Sequence, residues 1–236
     1  MRLVLSTLLA FCLLSCDQLN TLVENAGSTL PPTESEISSG IREALIVGAK
    51  NAINETSKKN GFLNNSLIKI PFPAEAQKVE KAARDLGLDA QVDQFIETMN
   101  HGAEQASAKA TDIFISSIKQ MTLQDVYDIW RGDNDAATQY LIRTTSDRLR
   151  SEFRPIIKQS LDKVQVTKYW SPLVDNYNKI PFVTKVNPDL DEYVLDETLE
   201  GLFVIIAQEE ASIRENPQAR VSAILQKVFG YNGGNF

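Results

Sequence analysis

The chain has 236 residues, a formal net charge of −7, and 43% hydrophobic and 23% charged residues. That length allows one substantial hydrophobic core, or at most two small ones. Because the chain is acidic and its Lys and Arg residues form no cluster, nucleic acid is excluded as an expected partner, and anionic lipid would be repelled on average.

The amino terminus has the pattern of a bacterial lipoprotein signal. Arg2 precedes an apolar stretch over residues 3–14, which is shorter than the roughly 20 residues needed to span a bilayer and is typical of an export signal. The stretch ends in Leu13-Leu14-Ser15-Cys16, which resembles a lipobox, in which the cysteine thiol receives a diacylglycerol. We therefore predict a signal peptide over residues 1–15 and a lipid on Cys16. An ordinary cleaved signal and an uncleaved anchor are the alternatives.

The lipoprotein interpretation accounts for both cysteines. Cys12 would leave with the signal and Cys16 would carry lipid, so the mature domain would have neither a free thiol nor a disulfide. The mature protein would lie in the periplasm, anchored to the inner or outer membrane, and Asp17 resembles the signal that retains enteric lipoproteins in the inner membrane. Residues 16–34 would form the lipidated cysteine and a flexible tether of roughly 20–25 Å.

Apolar residues recur at helical spacing from residue 35 to residue 230. The spacing predicts an all-α, single compact domain of about seven helices with little or no β structure. Pro155 should kink or split the fifth of them, and residues 231–236 should form a tail. The predicted helices cover Ile37–Thr56, Ala74–Leu86, Asp89–Met121, Leu123–Trp130, 137–164, Leu195–Ile213 and Gln218–Phe229.

One four-residue segment occurs twice. Lys69-Ile70-Pro71-Phe72 recurs as Lys179-Ile180-Pro181-Phe182, and each copy precedes a predicted helix. Since a residue before proline favours extended geometry, both copies should be extended. The two copies could lie side by side or occupy equivalent grooves, and chance combined with similar packing needs is the alternative.

Several separated segments together carry a family resemblance. The chain resembles an uncharacterised bacterial family catalogued as domain of unknown function 4197, over roughly residues 37–230. The resemblance implies a secreted or lipid-anchored helical domain and brings no activity with it. One departure is His101-Gly102, where an Arg-Ala pair is expected. The matching residues are Met99-Asn100, Ala103-Glu104, Ala110, Ile113-Phe114, Asp125, Trp130-Arg131-Gly132-Asp133, Ala136-Ala137-Thr138, Tyr140, Phe153, Pro155-Ile156, Tyr193-Val194, Gly201-Leu202-Phe203, Glu209-Glu210, Ile213-Arg214, Asn216-Pro217, Arg220 and Val228-Phe229-Gly230.

The sequence contains no complete metal or catalytic signature. His101, the only histidine, shares a helix face with Glu97 and Glu104, but di-iron and zinc sites draw on more His or Cys ligands. We therefore predict neither a metal nor a cofactor. Residues 133–135 read Asp-Asn-Asp but lack the glycine and distal glutamate of a calcium loop, so Asp133 or Asn134 is interpreted as a helix cap.

Aromatic residues offer a second type of site. Trp130, Tyr169 and Trp170 could form a surface that stacks on glycan. Aromatic residues at helical spacing are also typical of a hydrophobic core, and that alternative is the one we favour.

Two adjacent acids interrupt the last long apolar pattern. At about 100° per residue, Glu210 falls almost within the apolar seam, and the side chains of Glu209 and Glu210 point about 100° apart. That separation is poor geometry for two acids acting on one glycosidic bond. Arg214 follows Glu210 by one helical turn, which is the favourable order for an ion pair.

The same segment ends in an arginine at an unusual place. Asn216-Pro217 looks like the N-cap and first residue of the last helix, which would place Arg220 near the positive end of that helix. A cation there suggests an acidic partner. We predict a structural ion network of Glu104, Glu209, Glu210, Arg214 and Arg220.

These observations favour a lipid-anchored periplasmic domain that is non-enzymatic and binds or scaffolds. Its expected partners are the membrane, through Cys16, and an envelope protein. One alternative is a carboxylate-based hydrolase of envelope glycan that uses Glu104, Glu209 and Glu210. The other is a carrier of a small apolar ligand, which would need a continuous apolar cavity between helices.

Overall fold

The computed structural model of the chain describes residues 30–163, 170, 174–183, 185–187 and 189–231, with the main chain alone at Glu75 and Ala82. The helices are α1 Glu34–Ser57, α2 Gln77–Asp85, α3 Asp89–Ser107, α4 Ala110–Lys119, α5 Leu123–Arg131, α6 Ala136–Lys163, α7 Leu190–Glu215 and α8 Ala223–Gly230. Short 3₁₀ turns precede α2 and α8, and the described residues contain no strand. The predicted all-α class is confirmed. The predicted signal peptide, Cys16 and most of the tether lie outside the described residues.

The core forms between the three longest helices and α3. α7 packs against both α6 and α1, and α3 packs against α6. The apolar faces predicted from the helical period point inward, since burying them removes hydrocarbon from water. None of the described helices is long and apolar enough to cross a membrane. The largest fully buried side chains include Ile41, Phe62, Met99, Phe114, Leu149, Phe153 and Leu195.

The beginning of α1 is fixed by its own residues and by α8. The Thr33 hydroxyl accepts a hydrogen bond from the N–H of Glu36, and the Glu36 carboxylate accepts one from the N–H of Thr33. Such a capping box satisfies two donors that the first turn would leave free. Glu36 also pairs with Lys227 of α8 at 2.7 Å, and the hydrogen bonds from Lys227 and Thr33 lower its pKa to about 2.

Pro155 does not split its helix, which was one of the two outcomes expected of it. α6 continues through Pro155 from Ala136 to Lys163. A proline within a helix removes the hydrogen bond to the carbonyl four residues earlier, here that of Ser151. Pro155 and Ser151 are both exposed, so water can donate to that carbonyl in place of the missing N–H.

Two predicted helices are interrupted. The segment predicted as one helix over Asp89–Met121 breaks at Ala108 and Lys109 into α3 and α4. The last predicted helix is also wrong in its start, because Asn216 caps only the 3₁₀ turn, and the Ser222 hydroxyl caps α8 by accepting from the N–H of Leu225. Arg220 therefore lies between helices rather than in a first turn.

Candidate functional site

The carboxylate of Glu210 lies at the amino-terminal end of α6. Oε1 accepts from the N–H of Ala137 at 3.0 Å, and Oε2 accepts from the N–H and the hydroxyl of Thr138, both at 2.8 Å. A negative group suits this end of the helix because the N–H groups of the first turn have no partner within the helix and make that end positive. The expected cap by Asp133 or Asn134 is thus corrected. The N–H groups of Ala137 and Thr138 instead donate to a carboxylate of α7, which places a full negative charge at the helix end.

Arg214 holds the other side of the same carboxylate. Its Nε and Nη2 donate to Glu210 Oε1 at 3.0 Å and 2.8 Å. The two side chains are only 9% and 7% exposed, so the pair that the helical spacing indicated is buried. Nη2 also donates to the carbonyl of Ile129 near the end of α5 at 2.9 Å. Glu210 and Arg214 together join the end of α5, the beginning of α6 and the end of α7.

Arg220 meets carbonyl groups rather than an acid. Its Nε donates to the carbonyl of Ile213 at 3.1 Å and its Nη2 to the carbonyl of Arg214 at 2.7 Å. Both carbonyls lie in the last turn of α7, where the helix dipole favours a cation. Burial of the guanidinium lowers the pKa of Arg220 from its ordinary value. The arginine belongs to the negative end of α7, not the positive end of a following helix.

We call Glu210, Arg214 and the adjoining ends of α5, α6 and α7 the Glu210 corner. This corner brings together two parts of the sequence that carry the family resemblance. Residues 130–140 and 201–230 meet there. A cavity of about 30 Å³ lies beside the pair, lined mostly by apolar side chains of α1, α6 and α7. An open groove of about 690 Å³ lies on the outer side, between Arg131, Asp133, Asp135 and Phe229.

The remaining predicted acids lie elsewhere. Glu104 is 5% exposed, and its Oε1 accepts from the N–H groups of Phe62 and Leu63 at 3.2 Å and 3.4 Å. Glu209 lies at the surface, where its Oε2 accepts from the Asn51 amide at 2.8 Å. The structure describes all five residues of the predicted network. Among these five, the pair of Glu210 and Arg214 is the single ion pair.

A buried asparagine holds the first Lys-Ile-Pro-Phe copy. Asn100 is fully buried; its Oδ1 accepts from the N–H of Ile70 at 2.9 Å, and its Nδ2 donates to the carbonyl of Ile70 at 2.8 Å. Ile70 is itself fully buried and Phe72 is 8% exposed. The ring of Phe72 lies 4.9 Å from that of Phe95 and 5.7 Å from that of Trp170, between centroids. The first copy is therefore part of the core.

A second asparagine closes the loop that contains the other copy. Asn178 Oδ1 accepts from the N–H of Val186 at 2.9 Å, and its Nδ2 donates to the carbonyl of Val186 at 2.8 Å. Between these residues the chain projects outward, with Ile180 52% and Phe182 107% exposed. Phe182 has φ of 63°, in the left-handed region that bulky residues rarely adopt. We call residues 179–183 and Lys185 the Phe182 loop.

The other candidate sites contain structural contacts. His101 Nε2 hydrogen-bonds Asn60 at 3.1 Å and lies 3.9 Å from carboxylate oxygens of Glu97 and Glu104. Within the described residues no cluster of His, Cys, Asp and Glu side chains is placed to hold a metal ion. Of the aromatic residues considered for glycan, Trp170 is 4% exposed and Trp130 is half-buried, while Tyr169 lies outside the described residues.

Sequence reasoning missed a row of charges between α6 and α7. Arg150 and Arg154 both form ion pairs with Glu192, and the distance from Arg150 Nη1 to Glu192 Oε1 is 2.5 Å. Lys158 Nζ lies 3.6 Å from Asp191 Oδ2. Burial raises the pKa of Asp191 above its ordinary value, and its Oδ1 is buried with no hydrogen-bond partner among the described atoms. The four-residue spacing of these basic residues along one helix was the available signal.

Comparison with known proteins identifies one family. The family model described as protein of unknown function (DUF4197) matches residues 31–230. The match includes every residue of the Glu210 corner, both asparagines and the Phe182 loop. No curated protein and no solved structure matches the chain.

Proposed function

Since the chain belongs to the DUF4197 family, described as a protein of unknown function, we propose that it is a lipid-anchored, non-enzymatic helical domain of the periplasm. In this role it binds or scaffolds another component of the cell envelope. The single observation that carries the non-enzymatic part is the state of Glu210, the acid that the sequence placed closest to a reactive position.

Both oxygens of Glu210 are already engaged. The carboxylate accepts five hydrogen bonds, from Ala137, from Thr138 twice and from Arg214 twice. A carboxylate offers about four lone-pair sites, so every site faces a donor of the protein itself. A general acid or base must instead exchange a proton with the substrate at one of those sites. Glu210 is therefore suited to joining helices and unsuited to proton transfer.

The positions of the other acids favour the same conclusion. A glycosidase needs two carboxyl groups about 5–9.5 Å apart across one open cleft. Glu104, Glu209 and Glu210 each line a different cavity, and the one beside Glu210 has a volume of about 30 Å³. That volume is also about a tenth of what a pocket for a small organic ligand requires, which argues against the carrier alternative.

The envelope location is supported by the amino-terminal sequence. Leu13-Leu14-Ser15-Cys16 resembles a lipobox, and the polar residues up to Thr33 separate Cys16 from α1. A tri-acylated cysteine carries more than one acyl chain, which is what stable anchoring requires. The helical domain would then lie within a few nanometres of the bilayer surface.

Labelling with palmitate tests the anchor. We expect the parent chain to incorporate labelled palmitate in its native host, and Cys16→Ala to incorporate none and accumulate as precursor. Cys12→Ala is the matched control, because Cys12 lies in the part that would be cleaved off, and it should label like the parent. Equal labelling of both variants and the parent would refute the lipid on Cys16.

Incubation with isolated murein tests the non-enzymatic part. We expect the purified lipoprotein to release no glycan fragments above the rate without protein. Release that is abolished by Glu209→Gln or Glu104→Gln, with no change in thermal unfolding, would instead establish the hydrolase alternative. Loss of release with loss of folding would point to neither acid, so unfolding is measured on every variant.

A further inference from the structure

The Phe182 loop presents apolar side chains to solvent in a way that folding alone does not explain. Ile180 is 52% exposed and Phe182 is 107% exposed, so the phenylalanine makes almost no contact with its own protein. Its φ of 63° is a conformation that is strained for a residue with a bulky side chain. Strain of this kind persists where the surrounding structure imposes it, and it is concentrated at functional positions.

The loop is held in this exposed form by specific hydrogen bonds. The Asn178 amide pairs with both main-chain groups of Val186, which is 4% exposed and belongs to the core. On the other side of the loop, the N–H of Lys179 donates to the carbonyl of Asn176, and the N–H of Ile180 donates to that of Tyr177. Both ends of the loop are therefore fixed to the domain, and the tip projects from a closed base.

The charges of the loop suit a surface of lipid. Lys179 and Lys185 flank the apolar tip and both are exposed. The chain as a whole has a net charge of −7, so this loop is a local exception. An aromatic residue that enters the interfacial region, with lysines that keep their charge among the headgroups, is the pattern of side chains that bind in the plane of a membrane.

We propose that the Phe182 loop inserts into the lipid–water interface of the bilayer that carries the anchor, as a second contact beside the acyl chains. This inference rests on the proposed lipid anchor. The tether, whose described end is at Thr33, would hold the domain at the bilayer and so keep the loop at a high effective concentration near the surface. Insertion of Phe182 and Ile180 would fix which side of the domain faces the membrane.

A fluorescent label tests the contact. The mature lipoprotein would have no free thiol, so Phe182→Cys introduces one site for an environment-sensitive fluorophore. The protein is reconstituted into vesicles of neutral and anionic phospholipid that contain a nitroxide-labelled lipid. Leu86→Cys is the matched control, since Leu86 is an apolar loop residue that is 78% exposed on the α2–α3 connection. We expect strong quenching and a blue shift at position 182 and neither at position 86.

Equal quenching at the two positions, or none at either, would overturn the inference. The number of labels per chain, counted by mass spectrometry, reports separately on the anchor, because an unlipidated Cys16 would take up a label in the parent chain as well. If the protein proves not to be lipidated, it is mixed with excess vesicles instead of being reconstituted. The fluorescence of the labelled parent chain is subtracted, and the difference in quenching between positions 182 and 86 then tests the inference in the same way.

The lysines provide an independent measurement. Replacing Lys179 or Lys185 by Ser should weaken the partitioning of the loop onto anionic vesicles about fivefold for each lysine, and leave partitioning onto neutral vesicles nearly unchanged. Lys81→Ser on α2 is the control, because Lys81 is exposed but far along the chain from the loop and pairs with Asp85. Equal effects of all three substitutions would refute a specific role for the loop.

Discussion

The two Lys-Ile-Pro-Phe segments contain the same residues in opposite environments. In the first, Ile70 is fully buried and Phe72 is 8% exposed, whereas in the second, Ile180 is 52% and Phe182 is 107% exposed. Each is tied by an asparagine whose side-chain amide pairs with the N–H and C=O of a single residue. The same local device therefore produces a core segment in one place and a projecting loop in the other.

The difference lies in where each asparagine is found. Asn100 belongs to α3, a helix distant in sequence, so its amide draws Ile70 into the interior. Asn178 directly precedes its own segment, and its amide hydrogen-bonds Val186 on the far side of that segment. The four residues therefore lie in a loop whose two ends are joined, outside the core. Identical residues share an extended tendency, but their burial depends on which partner is within reach.

The largest contrast is expected between the phenylalanines. Phe72→Ala should destabilise the domain by about 3–5 kcal/mol, because it removes a buried ring that packs against Phe95 and Trp170 and leaves a cavity. Phe182→Ala should change the free energy of unfolding by less than about 0.5 kcal/mol, since the side chain touches almost nothing. Unfolding in urea measures both, and similar losses for the two variants would mean that the loop packs against the domain.

The same contrast should hold between two adjacent glutamates. Glu210→Ala removes a buried partner of Arg214 and frees the N–H groups of Ala137 and Thr138, which should cost about 3 kcal/mol or more. Glu209→Ala should cost less than about 1 kcal/mol, because its single hydrogen bond to Asn51 lies at the surface. Thermal unfolding of both beside the parent decides the question. An unchanged or raised midpoint for Glu210→Ala would contradict a structural role and make that residue a candidate for activity.

The asparagines should differ by a smaller amount. Asn100→Ala leaves the buried N–H and C=O of Ile70 without partners, at a cost of about 2–3 kcal/mol. Asn178→Ala should cost about 1 kcal/mol, because Asn178 is half-buried and water can replace part of its contacts. Hydrogen exchange at the amides of Ile70 and Val186 reports each opening separately. Equal protection losses at the two amides would show that the loop base is as integral to the core as the first segment.

The smallest effect concerns charges in the row between α6 and α7. Burial raises the pKa of Asp191 above its ordinary value of 3.8, so the folded state favours the protonated carboxyl. Ionised Asp191 therefore costs stability at neutral pH, and that cost disappears as the pH falls below about 3.8. We expect Asp191→Asn to raise the unfolding midpoint slightly at pH 7 and to match the parent at pH 3.

Asp196→Asn is the matched control for that experiment. Asp196 is 54% exposed and pairs with Arg150, so its replacement should lower the midpoint slightly or leave it unchanged. A midpoint for Asp191→Asn below that of the parent at pH 7 would show that its contact with Lys158 outweighs the cost of burial.

The sequence by itself determined the features that depend on spacing along one helix. The apolar period was enough for the all-α class and for most helix positions, because a helix places every third or fourth residue on one face. The same spacing placed Glu210 beside the apolar seam and Arg214 one turn later, where the structure has their ion pair. The family resemblance, too, was carried by residues that can be read in order.

The tertiary structure alone decided the features that join distant residues. Glu210 caps α6, which begins more than 70 positions earlier in the chain. Arg220 donates to a carbonyl of α7, and Glu104 accepts from the N–H of Phe62. A charged or amide side chain has several partners of similar chemistry in any sequence of this length, and packing selects one by bringing it within hydrogen-bond distance. For that reason one Lys-Ile-Pro-Phe segment is buried and its twin is exposed, although their four residues are the same.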